Sequence, residues 1–474
     1  MIESGAARRK FSSLDTASHW ELRKTPKYAS HGVVRATPPA QTIENIAALM
    51  PTVGVTRIAE VTHLDRVGIP NFVTVRPRDV KGISYYNGKG STRIAAKAGA
   101  MMEAIERYSG ELCDLEVSYG TLSEIRKRGA AVDPNDIIVP RFREYHRNLR
   151  LEWVPGFDLI ARKKVFVPLN SVVQPYEPTR GSLLYYSSTN GLASGNNIEE
   201  AICHGLCEVI ERDADAISAV TRDLAPAVNR VLEALGVSAP PTPLSQTYPL
   251  IALDTLPISA TRLVRKLESA NLLVYLRSLT CTARIPTFEC TIVETQPDGK
   301  HLAHGGSGTH PDCRVAVSRA ITEAAQSRVG CIQGGREDLP HIMKERVPFD
   351  PEAVFGRGPV CSFGEIQTYE YPTIDGDINF ILRQLKAEGL DQVIAVDLTR
   401  PELGVPVVKI IIPNAENWTV FYMHVERAMF GPRVKKLLQG APLPARRRVI
   451  NSAALALHNQ SVPKLPANGS ANGK

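Results

Sequence analysis

The chain has 474 residues, of which 43% are hydrophobic and 22% are charged, as in globular proteins with a large apolar core. No apolar run approaches the roughly 20 residues that are needed to span a bilayer, and the N-terminal sequence lacks the apolar segment of a secretory signal. These features argue against a membrane-spanning or secreted protein and predict a cytoplasmic one.

The net charge of +7 is concentrated at the C-terminal end. Eight basic residues and no acidic residue lie from Arg433 onward, so residues 1–432 carry a net charge of −1. A nucleic-acid-binding protein more often has a basic patch in its folded part, so no nucleic-acid partner is expected. The tail, residues 433–474, is rich in Pro, Gly, Ala and Asn and is predicted to be disordered. Its basic residues are either solvated or bind an acidic partner.

The eight cysteines predict no disulfide framework, because the chain is long and has no C-x-x-C motif. Cys203 and Cys207 lie one helical turn apart with His204 between them, a spacing that a zinc site could use. Further ligands at a recognisable spacing are missing. Buried apolar cysteines are therefore the favoured interpretation.

In chain order, the first elements follow an N-terminal extension, residues 1–54, that has little hydrophobic periodicity. Alternating β-forming residues predict strands over residues 54–64 and 71–77. A polar turn at residues 85–92, YYNGKGST, then leads into a helix predicted over residues 93–111.

The rest of the chain continues as strands and helices without a strict β-α-β alternation. Strands are predicted at residues 151–159, 164–170, 273–279, 288–294, 393–398 and 407–412. Residues 190–217 and 304–330 each begin as a glycine-rich turn and continue as a helix, and residues 421–430 predict a last helix. This order favours an α+β fold over a doubly wound parallel sheet.

Three of the predicted helices share a motif that starts with glutamate: EAIER at 103–107, EVIER at 208–212 and EAAQSR at 323–328. Each follows a turn rich in glycine, asparagine or serine. One such motif is a weak signal, because exposed helices use Glu and Arg freely. Three copies after three similar turns predict a related role for the three helices.

The second of these helices places three carboxylates on one arc of its surface. At about 100° per residue, with Glu200 as the origin, Glu211 lies at about 20° and Glu208 at about 80°. No basic residue lies within this arc. The apolar residues occupy the opposite side of the helix, at roughly 180° to 280°: Ile202, Leu206, Val209 and Ile210.

Two interpretations of this acidic arc are open, a solvated face and a cation site. A solvated face usually intersperses lysine and arginine, which pair with glutamate four residues away. Carboxylate oxygens without such partners suit Mg²⁺ bound together with phosphate oxygens. The glycine-rich turns offer N–H groups to phosphates, and Lys89 offers a positive charge. A Mg²⁺–nucleotide site is favoured, although no GxxxxGK[ST] or well-formed GxGxxG loop is present.

Four long motifs stand out in the same order along the chain: GKGSTRIAAKAGAMMEAIERYSGE, NGLASGNNIEEAICHGLCEVIERDADA, THPDCRVAVSRAITEAAQSRVGCIQGGRED and VVKIIIPNAE. With these motifs the sequence resembles the YcaO domain family over most of residues 55–430. The resemblance implies a YcaO-type α+β fold over residues 55–432, with mixed and antiparallel sheets. It also implies that acidic helices bind ATP and Mg²⁺ in place of a Walker loop.

The resemblance implies a set of site residues on the three helices and near them. The expected ATP-binding residues are Lys89, Glu103, Glu106, Arg107, Asn196, Glu200, Glu208, Glu211, Arg212, Glu323, Gln326, Arg328 and Arg336. The expected Mg²⁺ ligands are Glu103, Glu106, Glu200, Glu208 and Glu211, and the expected catalytic residues are Arg107, Arg212 and Arg328. The family often has serine where this chain has Gly99, which removes one side-chain contact to the nucleotide.

The implied reaction is the ATP-dependent activation of a peptide backbone amide, giving an azoline, an amidine or a thioamide. Azoline-forming members commonly end in an alternating Pro-x-Pro-x-Pro tail, which this chain lacks. The motif AGAMMEAIERYSGE is similar to the branch that forms thioamides with TfuA-like proteins. Thioamidation of a peptide or protein with a TfuA-like partner is therefore expected, and a homodimer is expected from the family. Azoline or amidine formation and a non-catalytic peptide-binding scaffold stay open as alternatives.

Overall fold

The protein is described here by a computed structural model, which covers residues 20–30, 32–77, 83–111, 115–224, 248–280, 283–335, 349–417 and 430–437. The α-helices in these ranges are α1 (Pro39–Ile46), α2 (Arg93–Ser109), α3 (Leu122–Arg126), α4 (Ile198–Ala219), α5 (Ile258–Ser269), α6 (Cys313–Gln333), α7 (Pro351–Phe355), α8 (Ile374–Ala387) and α9 (Pro432–Leu437). Strands and helices alternate irregularly, so the predicted α+β class is confirmed.

The strands of the described residues form four sheets. In chain order they are β1 (Tyr28–Ser30), β2 (Val33–Arg35), β3 (Arg57–Glu60), β4 (Asn71–Val75), β5 (Tyr85–Lys89), β6 (Ser118–Gly120), β7 (Ala130–Ala131), β8 (Leu151–Asp158), β9 (Lys163–Pro168), β10 (Leu192–Ser194), β11 (Leu250–Ile251), β12 (Leu272–Ser278), β13 (Thr287–Thr295), β14 (His301–Thr309), β15 (Val360–Cys361), β16 (Ile394–Asp397) and β17 (Val407–Ile411). All six strands predicted after residue 150 are present within a residue or two of the expected ends.

The sheets are mostly antiparallel, with two parallel pairs. The largest has the order β10-β17-β16-β8-β9-β7, with β6 also paired to β8, and the second has the order β14-β13-β12-β11-β15. Strands β3, β4 and β5 form a third sheet, and β1 and β2 a fourth. The parallel pairs are β7 with β9 and β11 with β15. This mixture matches the sheets that the family resemblance implies.

The three glycine-rich stretches differ from the prediction, because each forms a strand where a turn was expected. NGK of the first stretch ends β5, LAS of the second forms β10, and HGGSGT of the third lies in β14. Each strand is followed within a few residues by one of the three acidic helices, α2, α4 or α6. The internal repeat is thus a strand–loop–helix unit.

The glycines in these strands allow the helices to approach them closely. A Cβ atom on Gly88 would lie 2.1 Å from the backbone nitrogen of Ala100, and one on Gly306 would lie 2.1 Å from that of Ala324. Such distances are far inside van der Waals contact, so only glycine permits this packing. The glycines therefore serve the contact between strand and helix, and most of their backbone groups are engaged in the sheets.

The N-terminal residues 20–30 and 32–46 lie against the body of the protein. Trp20 is buried in a core cluster and stacks on Phe157 with ring centroids 5.8 Å apart. The backbone N–H groups of Arg23 and Ala36 donate to glutamates of α4, each at 2.8 Å. We call residues 20–30 and 32–46 the N-terminal strap, since they run across α4 before entering the domain.

The C-terminal prediction falls mostly outside the described residues. Helix α9 extends across the expected boundary at residue 433, and Arg433 forms an ion pair with Asp213 of α4. The helix predicted at residues 421–430 and the tail from residue 438 lie outside the described residues, apart from residue 430. Among the helices that the structure describes, none is long and apolar enough to cross a membrane.

Candidate functional site

Helix α4 supplies the centre of the site. Asn197 caps its N-terminus by accepting a hydrogen bond from the backbone of Glu200 at 2.9 Å. The predicted core face is confirmed, since Ile202, Leu206, Val209 and Ile210 are all buried. The acidic arc therefore faces away from the apolar core, as the helical spacing indicates.

Glu200 lies at the end of this arc nearest the N-terminus of the helix, where the N-terminal strap covers it. The backbone N–H of Ala36 donates to one of its oxygens at 2.8 Å, and Arg35 Nε lies 3.5 Å from the other. Asn196 donates its amide to both oxygens of Glu200 at 3.0 and 3.2 Å, and Thr42 donates to the Asn196 oxygen at 2.9 Å. Asn196 and Glu200, two of the expected ATP-binding residues, are thus in direct contact.

Helix α2 places its acidic motif beside the middle of α4. Arg107 Nε donates to Glu103 at 2.7 Å, one turn earlier in the same helix. Glu106 is buried and accepts hydrogen bonds from the backbone and hydroxyl of Ser194, at 2.9 and 3.3 Å. The negative charge of Glu208 acts on both Glu106 and Arg107, which places α2 and α4 at one site.

Helix α6 closes the opposite side of the site. Its Glu323 forms an ion pair with Lys89 at the end of β5, and Arg212 Nη2 lies 4.0 Å from the other Glu323 oxygen. Arg212 in turn lies 3.7 Å from Asp215 on α4. Lys89, Arg212 and Glu323 therefore meet at one point, although Lys89 and Glu323 are 234 residues apart in the sequence.

The carboxylates raise one another's pKa where they crowd together. Burial, followed by the charge of Glu103, raises the pKa of Glu106 well above its ordinary value. Burial also raises the pKa of Glu208, and burial with the charge of Glu323 raises the pKa of Glu211 to about 7. Ionising all of these groups in the protein alone is therefore unfavourable, and nearby cations would relieve that cost.

In the ion pairs of the site, by contrast, the neighbouring charges favour the charged form of each residue. Burial alone would lower the pKa of Arg212, yet Glu211 and Glu323 raise it above its ordinary value. For the acid Glu323, burial alone would raise the pKa, but Lys89 and Arg212 lower it below its ordinary value. These groups are consequently fixed as ion pairs at neutral pH.

Three predicted residues are not brought into this cluster by the described contacts. Arg328 is buried in ion pairs with Asp65 and Glu294, at 2.9 and 2.8 Å, and its spacing from Glu323 puts it on another face of α6. Gln326 is half-buried on the Glu323 side of the helix. Arg336 lies outside the described residues. The contacts of Arg328 are those of a structural ion pair.

Several residues that the sequence did not single out also reach the site. Arg319 donates to His204 at 3.3 Å, and its positive charge acts on Glu211 and Glu323. The internal repeat contains a signal for it, because Arg319 precedes Glu323 by four residues, as His204 precedes Glu208. The repeat alignment therefore identifies a position that faces the site in two of the three helices.

Asp215 and Lys409 are two further residues of this kind. Asp215 continues the acidic arc by one turn, accepts a hydrogen bond from Ser307 at 3.1 Å, and has its pKa raised to about 8, mainly by burial. Lys409 of β17 is buried, and burial lowers its pKa to about 8, although the charge of Glu208 opposes this shift. The hydrophobic run VVKIII indicates that this lysine is buried but does not indicate that it reaches the site.

The side chains present fit Mg²⁺ and a polyphosphate. All the acidic ligands offer oxygen, which is what Mg²⁺ prefers. One oxygen of Glu211, a residue only 2% exposed, has no hydrogen-bond partner in the part of the chain that the structure describes. A buried carboxylate oxygen without a donor is costly unless a cation binds it. Glu103, Glu106, Glu200, Glu208 and Glu211 would hold the metal, and Lys89, Arg212 and Arg319 would neutralise phosphates.

Two cysteines near the site are buried apolar residues, which is the interpretation that the sequence favours. Cys203 and Cys207 are buried in an apolar cluster. The ligand atoms of Cys203, His310 and Asp377 lie within 4.8 Å of one another, which the sequence spacing did not indicate. Lys27 Nζ, however, lies 2.5 Å from Asp377, so a fixed positive charge already neutralises that carboxylate.

Comparison with known proteins gives a consistent result. The family model described as "YcaO cyclodehydratase, ATP- and Mg²⁺-binding" matches residues 87–416, which include the α2, α4 and α6 motifs. A protein of Methanothermobacter thermautotrophicus is 36% identical over 395 residues, covering 81% of this chain and 96% of that protein. A protein of Rhizobium leguminosarum bv. trifolii, named for its position in the tfuA 3′ region, is 30% identical and covers 86% of this chain and 94% of its own length.

Solved structures with the same fold are more distant in sequence. The YcaO protein of Methanopyrus kandleri bound with AMPPCP and Mg²⁺ has a TM-score of 0.63 at 24% identity and covers 86% of this chain and 98% of its own. A heterocyclase in complex with substrate and cofactor has a TM-score of 0.67 at 19% identity, covering 90% of this chain and 59% of its own. At these identities the likeness shows the fold alone.

Proposed function

This chain belongs to the YcaO family, which binds ATP and Mg²⁺, and from this premise we propose that it uses ATP to activate a backbone amide of a peptide or protein. The observation that carries the proposal is the convergence of carboxylates from α2, α4 and α6 with Lys89, Arg107 and Arg212. Oxygen ligands and fixed cations in one buried cluster are what phosphoryl transfer requires.

The chemistry explains why ATP is needed. A peptide carbonyl is a poor electrophile, and its oxygen is a poor leaving group. When a nucleophile adds to the carbon, the resulting oxyanion can take the terminal phosphoryl group of ATP, after which the oxygen leaves as phosphate. In this proposal Arg107, Arg212 and Lys89 neutralise the charge that develops on the transferred group, while the carboxylates hold the metal.

Thioamide formation is the specific reaction that we favour. It is supported by the similarity of the α2 motif to the TfuA-associated branch, and by a relative whose gene lies in a tfuA 3′ region. The nucleophile in this case is a sulfur anion, and the oxygen of the amide is replaced by sulfur. A TfuA-like protein is the proposed partner, and a homodimer is the proposed assembly.

Azoline formation is the second candidate, favoured by the fold shared with a heterocyclase. The two reactions differ in the mass of the product. The purified protein and its TfuA-like partner would be incubated with Mg-ATP, sulfide and a peptide extract from a strain that lacks the gene. Thioamidation exchanges one oxygen for one sulfur, whereas cyclodehydration removes one water, and mass spectrometry separates them. A loss of water in place of the exchange would refute thioamidation.

A non-catalytic scaffold would keep the fold without the chemistry. Glu208→Gln keeps the size of the side chain and removes a charge that acts on Glu106, Arg107 and Lys409. We expect this variant to lose product formation by at least a hundredfold, because it weakens the metal and nucleotide site. If the variant forms product like the parent protein, the catalytic interpretation fails.

A further inference from the structure

A cleft adjoins the acidic cluster on the side of β17. It lies between three segments, residues 137–139, 185–190 and 409–417, and has about 510 Å³ of free volume, its open mouth included. We call it the acceptor cleft.

One side chain connects the acceptor cleft to the acidic cluster. Lys409 lines the cleft, and its ammonium group lies in the electrostatic field of Glu208 and Glu106. The wall continues through Asn190 and Gly191, whose backbone N–H donates to Glu208 at 3.2 Å. A group bound in the cleft at Lys409 is therefore adjacent to the carboxylates that would hold the metal.

The polar groups in the cleft match the backbone of a peptide. The amide oxygens of Asn190 and Asn417 are buried and accept no hydrogen bond from the part of the chain that the structure describes. Lys409 has three N–H donors, and among the described residues one is used, on the carbonyl of Ser188 at 2.7 Å. Buried acceptors without donors are costly, so a ligand with N–H groups would be bound favourably.

The walls of the cleft are apolar between these polar groups. Ile138, Val139, Val209 and Ile410 line it, and all four are less than 10% exposed. The cleft thus offers two acceptors, one cation and apolar contacts. A phosphate or carboxylate group offers no N–H donor to the acceptors, whereas an uncharged peptide backbone satisfies acceptors and cation together.

We propose that the acceptor cleft binds the peptide segment whose amide is activated, with Asn190 and Asn417 accepting its N–H groups and Lys409 donating to the carbonyl oxygen. This inference rests on the proposed function, since it assigns the place of the second substrate. The ammonium of Lys409 then faces the oxyanion that forms when the nucleophile adds.

The test uses a minimal peptide backbone, N-acetyl-Ala-Ala-N-methylamide, and the full-length protein saturated with Mg-AMPPCP. Binding is followed by saturation-transfer NMR. An analogue methylated on every amide nitrogen has no N–H donor, so it should give at least a fivefold weaker signal. Asn190→Ala, Asn417→Ala and Lys409→Met should each weaken the signal of the unmethylated probe at least fivefold.

Asn148→Ala, at an exposed position outside the cleft, serves as the matched control and should bind the probe like the parent protein. Thermal unfolding identifies any variant that does not fold. If Lys409→Met does not fold, the two asparagine variants decide the result. Equal signals for the probe and its methylated analogue, equal signals in all variants, or no binding at all would each overturn the proposal. A separate titration with Mg-AMPPCP tests the nucleotide site, so failure of the proposed function is seen independently.

Discussion

At the scale of single residues, the central fact is that crowded carboxylates remain protonated more readily than isolated ones. Glu106, Glu208 and Glu211 all have raised pKa values in the protein alone, and burial is the first cause in each case. Keeping such groups together in the folded state lowers the stability of the protein. The arrangement is explained if the groups bind a cation, since the cation restores the ionised form.

Glu211 allows this cost to be measured through its pH dependence. Its pKa is about 7 in the folded protein and 4.5 ordinarily, so folding favours the protonated form. Stability of the metal-free protein therefore falls as pH rises from about 4.5 to about 7, and Glu211→Gln should remove that loss. We expect the variant to be more stable than the parent by about 1–3 kcal/mol at pH 8 and equal to it at pH 4.

Urea unfolding in the presence of a chelator measures this difference at the two pH values. Glu388→Gln, at an exposed position just after α8, is the control and should show little change at either pH. After the chelator is removed, Glu211→Gln should weaken Mg-AMPPCP binding at least tenfold, because one ligand oxygen is lost. An equal change in stability at both pH values would contradict the assignment.

At the scale of elements, the site is built by repeating one unit, a glycine-containing strand followed by an acidic helix. The close approach of strand to helix aligns the start of each acidic motif with its strand, as β14 and α6 show at Gly306 and Ala324. Lys89 and Glu323 then meet because β5 and α6 come from two such units. The glycines are therefore structural determinants of the site, although they need not touch the nucleotide.

The strand glycines can be tested with a pair of neighbours in β14. Gly306→Ala places a Cβ atom 2.1 Å from the nitrogen of Ala324, so α6 must shift, whereas a Cβ on Gly305 meets nothing within 4 Å. We expect Gly306→Ala to cost about 2–4 kcal/mol of stability and Gly305→Ala to change it by less than about 0.5 kcal/mol.

Urea unfolding would give the stabilities, and calorimetric titration would give the affinity for Mg-AMPPCP. Affinity should fall in Gly306→Ala alone, because the clash lies next to Glu323. If both alanine variants behave alike, the close packing of β14 on α6 is not what positions the site.

At the scale of the whole molecule, the N-terminal strap packs against the acidic helix α4. It crosses the start of α4, where its backbone N–H groups donate to Glu199 and Glu200 and Arg35 pairs with Glu200. It also pairs Lys27 with Asp377 of α8. The strap thus links the acidic helix to a second part of the protein, although the sequence over residues 1–54 shows little periodicity.

Arg35→Met tests whether the strap contributes to binding as well as to folding. The change removes the positive charge beside Glu200 and keeps most of the side-chain volume. We expect Mg-AMPPCP to bind about tenfold more weakly, because the expected ligand Glu200 loses the cation paired with it, with little change in the unfolding midpoint. Arg383→Met, at an exposed position on α8, is the control. Unchanged affinity in Arg35→Met would restrict the strap to a structural role.

The sequence alone determined the parts of this protein that depend on local periodicity. Strands β8, β9, β12, β13, β16 and β17, and helices α2, α4 and α6, follow from the spacing of apolar residues. The acidic arc on α4 follows from the same rule, because the direction of a helical side chain depends only on its position along the helix. The family motifs, which are long and ordered, indicate in addition that the ligand is ATP with Mg²⁺.

Only the tertiary structure decided which residues meet. Glycine-rich segments were predicted as turns because glycine is common there, but helix packing against them makes them strands. Arg328 matches its motif yet pairs with Asp65, 263 residues away, while Arg35 and Lys409 reach the acidic arc from distant parts of the chain. Contacts over such separations depend on how the elements pack, and local sequence carries no information about that packing.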